Sequence, residues 1–204
     1  MLPSHLVDLA DYPRVRSFVR EHLDMQFDDV RSMMKLPRPT RGLTGGCNFA
    51  AAATLCNLMA GVAIVLYRKA PRLPGTGSGF IALLMQYYPW QRGENGKENA
   101  ELLYEFVRNP LVHSLGLSNT PRQRAAHVTI VKTSLSERQL RRIEKSASPP
   151  RPSLAVASRG NEHTIWVTGL YWGFLGTLRG LFREPAQMEA AEHRLKDRSW
   201  YRDA

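Results

Sequence analysis

From Asp11 to Leu36, apolar residues recur at three- and four-residue steps: Val15, Phe18, Val19, Leu23, Phe27, Val30 and Met34, with charges between them. That spacing predicts an amphipathic helix. Asp11 suits its N-cap, Pro13 fits the first turn, and Pro37-Arg38-Pro39 ends it. Asn48 to Tyr67 is apolar on every side, so it predicts a helix at the centre of the fold, with Arg68 and Lys69 complementing its C-terminal dipole. A Pro/Gly loop follows from Pro71 to Gly79. Gly79 to Tyr88 reads as a short apolar helix stopped by Pro89, and Gln91 to Gly96 as a polar turn. A further helix is expected over Glu98 to Val107, with Leu102, Leu103, Phe106 and Val107 inward.

The texture changes after Gly116. His127 to Thr133 is strand-like, and Ser134-Leu-Ser-Glu137 resembles a capping box before a helix to about Lys145. Ser146 to Ser153 is a Pro/Ser linker. Leu154 to Ala157 and His163 to Val167 read as a hairpin around Arg159-Gly160-Asn161. A last apolar helix carries Tyr171, Phe174, Leu175, Leu178, Leu181 and Phe182, with Gly169, Gly173, Gly176 and Gly180 along its other side. Each glycine inside a helix costs up to about 1 kcal/mol, so the stripe predicts close backbone packing. From Pro185 the chain is a charged amphipathic tail. The expected fold is mainly α, a helical bundle with a small β-rich insertion before the last apolar helix. Its parts are a bundle core over 1–120, the insertion over 121–167, and C-terminal helices over 168–204 that complete the bundle.

Two hundred and four residues bury a sizeable core without staples. The two cysteines, Cys47 and Cys56, exclude a disulfide scaffold, and no Cys/His spacing suits structural zinc. No metal or other cofactor is therefore expected. Gly45-Gly46 lacks the Lys-Ser or Lys-Thr of a P-loop. The N-terminus has neither the basic nor the apolar region of a secretory signal. The segments 47–67 and 164–182 are apolar enough to suggest a membrane, but their polar residues favour a buried core helix and a strand leading into a short helix. The expected location is the cytoplasm, with no membrane partner. The charge adds most to the picture. It is +10 overall, and 22 of the 28 basic residues are arginine. Residues 121–160 hold nine Lys/Arg against Glu137 and Glu144, a net of +7. Such a surface favours polyanions, with a solvated face as the plainer reading.

One constellation carries chemistry. In Leu103-Tyr-Glu-Phe-Val-Arg108-Asn109-Pro110-Leu-Val-His113, a helix runs into Arg108. Pro110 disfavours helical backbone at Asn109, while Asn at an N-cap and Pro at the first position start a new helix there. His113 then falls one turn inside the new helix, within reach of Arg108. A fixed cation beside a group that titrates near neutrality suits phosphodiester chemistry, with histidine as acid or base and arginine stabilising phosphorane charge. The plainer alternative is structural: Asn109 caps, Arg108 bonds carbonyls at a helix end, and His113 is a hydrogen-bonded core or interface residue.

Arg108-Asn109-Pro-Leu-Val-His113 resembles the R-[ND]-x-x-x-H signature of the HEPN superfamily (higher eukaryotes and prokaryotes nucleotide-binding). The long first helix, the buried second helix and the late position of the motif are also similar. The resemblance spans about Asp11 to Leu117 and the final apolar helix, and the β-rich insertion lies outside it. Members often carry an aromatic residue just after the histidine, where Ser114 and Leu115 stand here. The resemblance implies a helical bundle that forms a homodimer, with two motifs facing across a cleft. It implies a metal-independent endoribonuclease that leaves a 2′,3′-cyclic phosphate, with Arg108 and His113 catalytic and Asn109 orienting or capping. It further implies RNA or a nucleotide as ligand, and a toxin or defence role with an antitoxin or nucleotidyltransferase-type partner. Other members are non-catalytic nucleotide- or RNA-binding modules, or protein-interaction modules, and that alternative stays open.

Overall fold

The computed structural model describes residues 3–37, 47–67, 75–92, 94–108, 126–150 and 155–197. Among these are seven helices and one three-stranded mixed sheet, which makes the protein mainly α-helical. After a short 3-10 turn at Pro3–His5, α1 runs without a break through an α-helical stretch (Pro13–Phe18), a π-helical stretch (Val19–Asp24) and a second α-helical stretch (Met25–Lys35). Its buried apolar positions are Val15, Val19, Leu23, Phe27, Val30 and Met34. Four-residue steps drift by about 40° each on a regular helix of 3.6 residues per turn. The wider π turn absorbs that drift and keeps Val15, Val19, Leu23 and Phe27 on one face.

Helix α2 (Asn48–Val65) is the centre of the molecule, as its uniform hydrophobicity predicts. Packed on it are α1, α3 (Gly75–Tyr87), α4 (residues 96–108), α6 (Val167–Phe182), α7 (Pro185–Asp197) and the first strand. By length and composition alone α2 is apolar enough to cross a membrane; in the folded chain 56% of it is buried by these neighbours. Helix α4 joins an α-helical stretch (Gly96–Leu102) to a π-helical one (Leu103–Arg108). Again the four-residue steps Leu102–Phe106 and Leu103–Val107 meet a π turn, and all four side chains are buried.

The remaining elements are β1 (His127–Val131), α5 (Glu137–Lys145), β2 (Val156–Arg159), β3 (Glu162–Trp166), α6 (Val167–Phe182) and α7 (Pro185–Asp197). The strand order is β1-β3-β2. Strands β2 and β3 form the expected hairpin, turning at Gly160 in the left-handed region (φ 58°). Strand β1 joins β3 in parallel, with His127 opposite Glu162 and Val131 opposite Trp166. Val128, Ile130, Val156 and Ile165 lie on the inner face of the sheet, against the bundle.

Several local expectations are corrected. Asp11 does not cap α1: the cap position is Tyr12, and no side chain of its own caps the helix. Glu192 of α7 accepts the backbone N–H groups of Arg14 (2.9 Å) and Val15 (3.0 Å) instead. A carboxylate on those orphan donors also suits the positive end of the helix dipole. The capping box before α5 is Ser136 with Gln139, not Ser134 with Glu137. Leu135 N–H is still bonded to the Met34 carbonyl and Ser134 Oγ to the Lys35 carbonyl, so the chain cannot turn into a helix before Ser136. Strand β1 ends at Val131 because Lys132 turns inward. Its buried ammonium donates to the carbonyls of Met33 and Leu36, both at 2.8 Å, and caps the C-terminus of α1. The glycine stripe of α6 packs closely, but against side chains rather than backbone: Tyr88 lies over Gly173, Pro89 over Gly176 and Tyr87 over Gly180.

An ionic cluster ties α5 to the bundle. Arg31 of α1, only 8% exposed, contacts Glu137 at 2.7 Å and also pairs with the buried Glu144. Tyr171 of α6 donates to Glu144 at 2.6 Å, and burial raises the Tyr171 hydroxyl well above its ordinary pKa. Hydrogen bonds from Lys35 and Arg141 hold Glu137 at about 2.

Candidate functional site

The motif begins at the end of α4. Asn95 caps this helix by accepting the Glu98 N–H at 3.2 Å. Leu102, Leu103, Phe106 and Val107 then anchor it in the core, so the half-buried Arg108 starts from a fixed position. The Arg108 guanidinium carbon lies 5.6 Å from the centre of the Tyr104 ring. Tyr104 is itself held from the other side by Phe80 of α3, at a ring separation of 5.6 Å. A Cβ at Gly77 would sit 2.8 Å from the Tyr104 ring, so this glycine leaves room for the aromatic platform. Stacking orients a guanidinium while leaving its edge able to bond an anion.

Cys56 of α2 lies below the same end of α4. Burial pushes its thiol up to about 12, and the positive charge of Arg108 only partly opposes this. A thiol in that state is a core residue rather than a nucleophile. Asn109 and His113, the other two members of the motif, lie outside the described residues.

The structure brings one further histidine to this end of α4. The His163 ring of β3 lies 5.2 Å from Phe106, two residues before Arg108, and His163 Nδ1 is 2.9 Å from Ser158 Oγ on β2. In the sequence His163 has no partner at ligand spacing, and it lies about fifty residues from the motif. A signal was present in the alternation of Glu162-His163-Thr164-Ile165-Trp166, which puts His163 on the same face as the apolar Ile165 and so toward the bundle.

The basic segment divides into two uses. Lys132 is buried as a cap and Arg141 is bonded to Glu137 at 3.1 Å, so both serve the fold. Arg138, Arg142, Lys145 and Arg159 are exposed. Two of the four tryptophans are structural: Trp90 donates to the Leu84 carbonyl and Trp172 to the Ser146 carbonyl, each at 3.0 Å. Among the described residues no group of three or more His, Cys, Asp or Glu could hold a metal ion.

No family model, curated protein or solved structure matches the chain.

Proposed function

We propose that the protein is a HEPN-type, metal-independent endoribonuclease working as a cytoplasmic homodimer. The observation that carries this reading is the placement of Arg108. It lies on a π-helical stretch anchored in the core, stands over an aromatic ring, and is followed in the sequence by Asn109-Pro110. π turns often occur at functional sites, where they re-aim a side chain. In the proposed chemistry the RNA 2′-oxygen attacks the adjacent phosphorus and the bond to the 5′-oxygen breaks. His113 moves the proton between these oxygens, and Arg108 stabilises the charge on the phosphorane. Asn109 orients His113. The products are a 2′,3′-cyclic phosphate and a 5′-hydroxyl. The exposed arginines of the β-rich segment supply attraction for the polyanion. A toxin or defence role, restrained by an antitoxin or nucleotidyltransferase-type partner, fits such an activity.

The test is cleavage of mixed RNAs in EDTA by wild type and by His113→Ala, with both proteins checked by circular dichroism. Wild type should cleave, and the variant should lose roughly 10²-fold or more, the usual contribution of a positioned acid or base. Cleavage that requires added magnesium would refute the mechanism. Salt-sensitive RNA binding without cleavage, unchanged in His113→Ala, would replace it with a non-catalytic binding module.

A further inference from the structure

The parallel pairing of β1 with β3 places His127 opposite Glu162 and Thr129 opposite Thr164. Strand β2 extends the first of these rungs, with Arg159 opposite Glu162. By alternation these side chains share the outer face of the sheet, away from Ile130 and Ile165. A groove of about 310 Å³ lies here, lined by His127, Thr129, Glu162, His163 and Thr164. This is the lower end of the size range of ligand sites. His127, Thr129, Glu162 and Arg159 are exposed.

Three features make this groove more than a polar sheet surface. First, the side chains on this face are mixed: the Glu162 carboxylate, the Thr129 and Thr164 hydroxyls and the His127 imidazole, with the Arg159 guanidinium in the same rung. Second, His127 and Glu162 begin their strands and Arg159 ends its own, so all three stand at one end of the sheet. Third, that end is fixed against α4 through His163 and Phe106, two residues from Arg108. This end of the sheet therefore carries the groove on its outer face and packs on α4 through its inner face.

We infer that this groove holds a ribose of a single-stranded RNA. The inference rests on the ribonuclease reading for its strand, but not on cleavage. A carboxylate is a natural acceptor for ribose hydroxyls, and the 2′-hydroxyl is the group that separates RNA from DNA. Glu162 accepts from that hydroxyl, Thr129 and Thr164 bond base edges or sugar oxygens, and Arg159 meets the neighbouring phosphate. The sheet thus discriminates RNA, while the motif acts on it.

Fluorescence anisotropy in EDTA, in the His113→Ala background, tests this with a labelled single-stranded RNA and the DNA of the same sequence. The parent should bind RNA more tightly than DNA. Glu162→Ala should lose roughly tenfold or more of its RNA affinity, the scale of one hydrogen bond to a charged group, with DNA binding not weakened. Thr129→Val/Thr164→Val keeps the β-branched shape and should weaken RNA binding with the fold intact by circular dichroism. Equal binding of RNA and DNA by the parent, or an unchanged ratio in Glu162→Ala, overturns the inference. Displacement of the RNA by micromolar adenosine monophosphate would mark a mononucleotide site and overturn the strand assignment. If discrimination depends on Glu162 but wild type never cleaves, the ribose site stands and the ribonuclease reading falls. If wild type cleaves through His113 and Glu162→Ala binds RNA normally, the reverse holds.

Discussion

Replacing Arg31 by methionine should be among the most damaging single changes in this chain. Arg31 is buried, and its guanidinium faces Glu137 at 2.7 Å and the fully enclosed Glu144. Two losses follow, and they differ in size. Glu137 is about 41% exposed and keeps Lys35 at 3.0 Å and Arg141 at 3.1 Å, so its loss is the small one of a surface pair. Glu144 is left as a buried carboxylate whose remaining side-chain support includes the Tyr171 hydroxyl at 2.6 Å. Removing one partner of a buried ion pair costs about 3–5 kcal/mol, a large share of the roughly 5–15 kcal/mol that holds a domain together. At this chain length that corresponds to a drop in Tm of roughly 6–20 °C. Urea unfolding followed by far-ultraviolet circular dichroism measures it. The double variant Arg31→Met/Glu144→Gln removes both charges and keeps an acceptor for Tyr171, so it should recover most of the loss. A cost below about 1 kcal/mol for Arg31→Met, or a double variant worse than the single, would refute the claim that the pair is buried and coupled.

Two further predictions test other parts of the fold. Gly173→Ala places a methyl group into the Tyr88 ring, whose hydroxyl donates to the Gly169 carbonyl at 3.1 Å, and should cost about 1–3 kcal/mol. Gly61→Ala, on α2 with open space around the new methyl, should instead stabilise by up to about 1 kcal/mol, and paired thermal melts compare the two. Glu137 has its folded pKa lowered from 4.5 to about 2, so its contribution is present above about pH 4.5 and fades as the pH falls toward 2. Lys35→Gln removes the largest cause of that shift, so the Glu137 carboxyl should titrate at a higher pH by nuclear magnetic resonance and acid unfolding should begin earlier.

What the sequence made legible follows the range of the interactions involved. The buried face of α1, the central α2, the β2–β3 hairpin and the inward residues of α4 rest on periodicity within a few residues, and each appears, with β2 two residues later than the expected Leu154–Ala157. The details that escaped depend on distant partners. Two overlapping capping signatures, at Ser134 and Ser136, are equivalent locally; the hydrogen bonds of Ser134 and Leu135 to the end of α1 decide between them. The cap of α1 comes from Glu192, near the other end of the chain, and no local rule proposes it. Arg31 reads as one of the charges on the polar side of α1 until α5 and α6 cover it. The glycine stripe of α6 announces close packing, but it cannot name Tyr87, Tyr88 and Pro89 as what fills it. The candidate site divides in the same way. Arg108 followed by Asn109-Pro110 is a local signal, and the described helix reaches Arg108. The parallel β1–β3 register, which sets His127 against Glu162 and carries His163 to Phe106, arises from strands separated by α5 and β2, so its consequences for ligand binding become readable only in three dimensions. Distant pairing of this kind can build a ribose-contacting face without leaving any motif of its own.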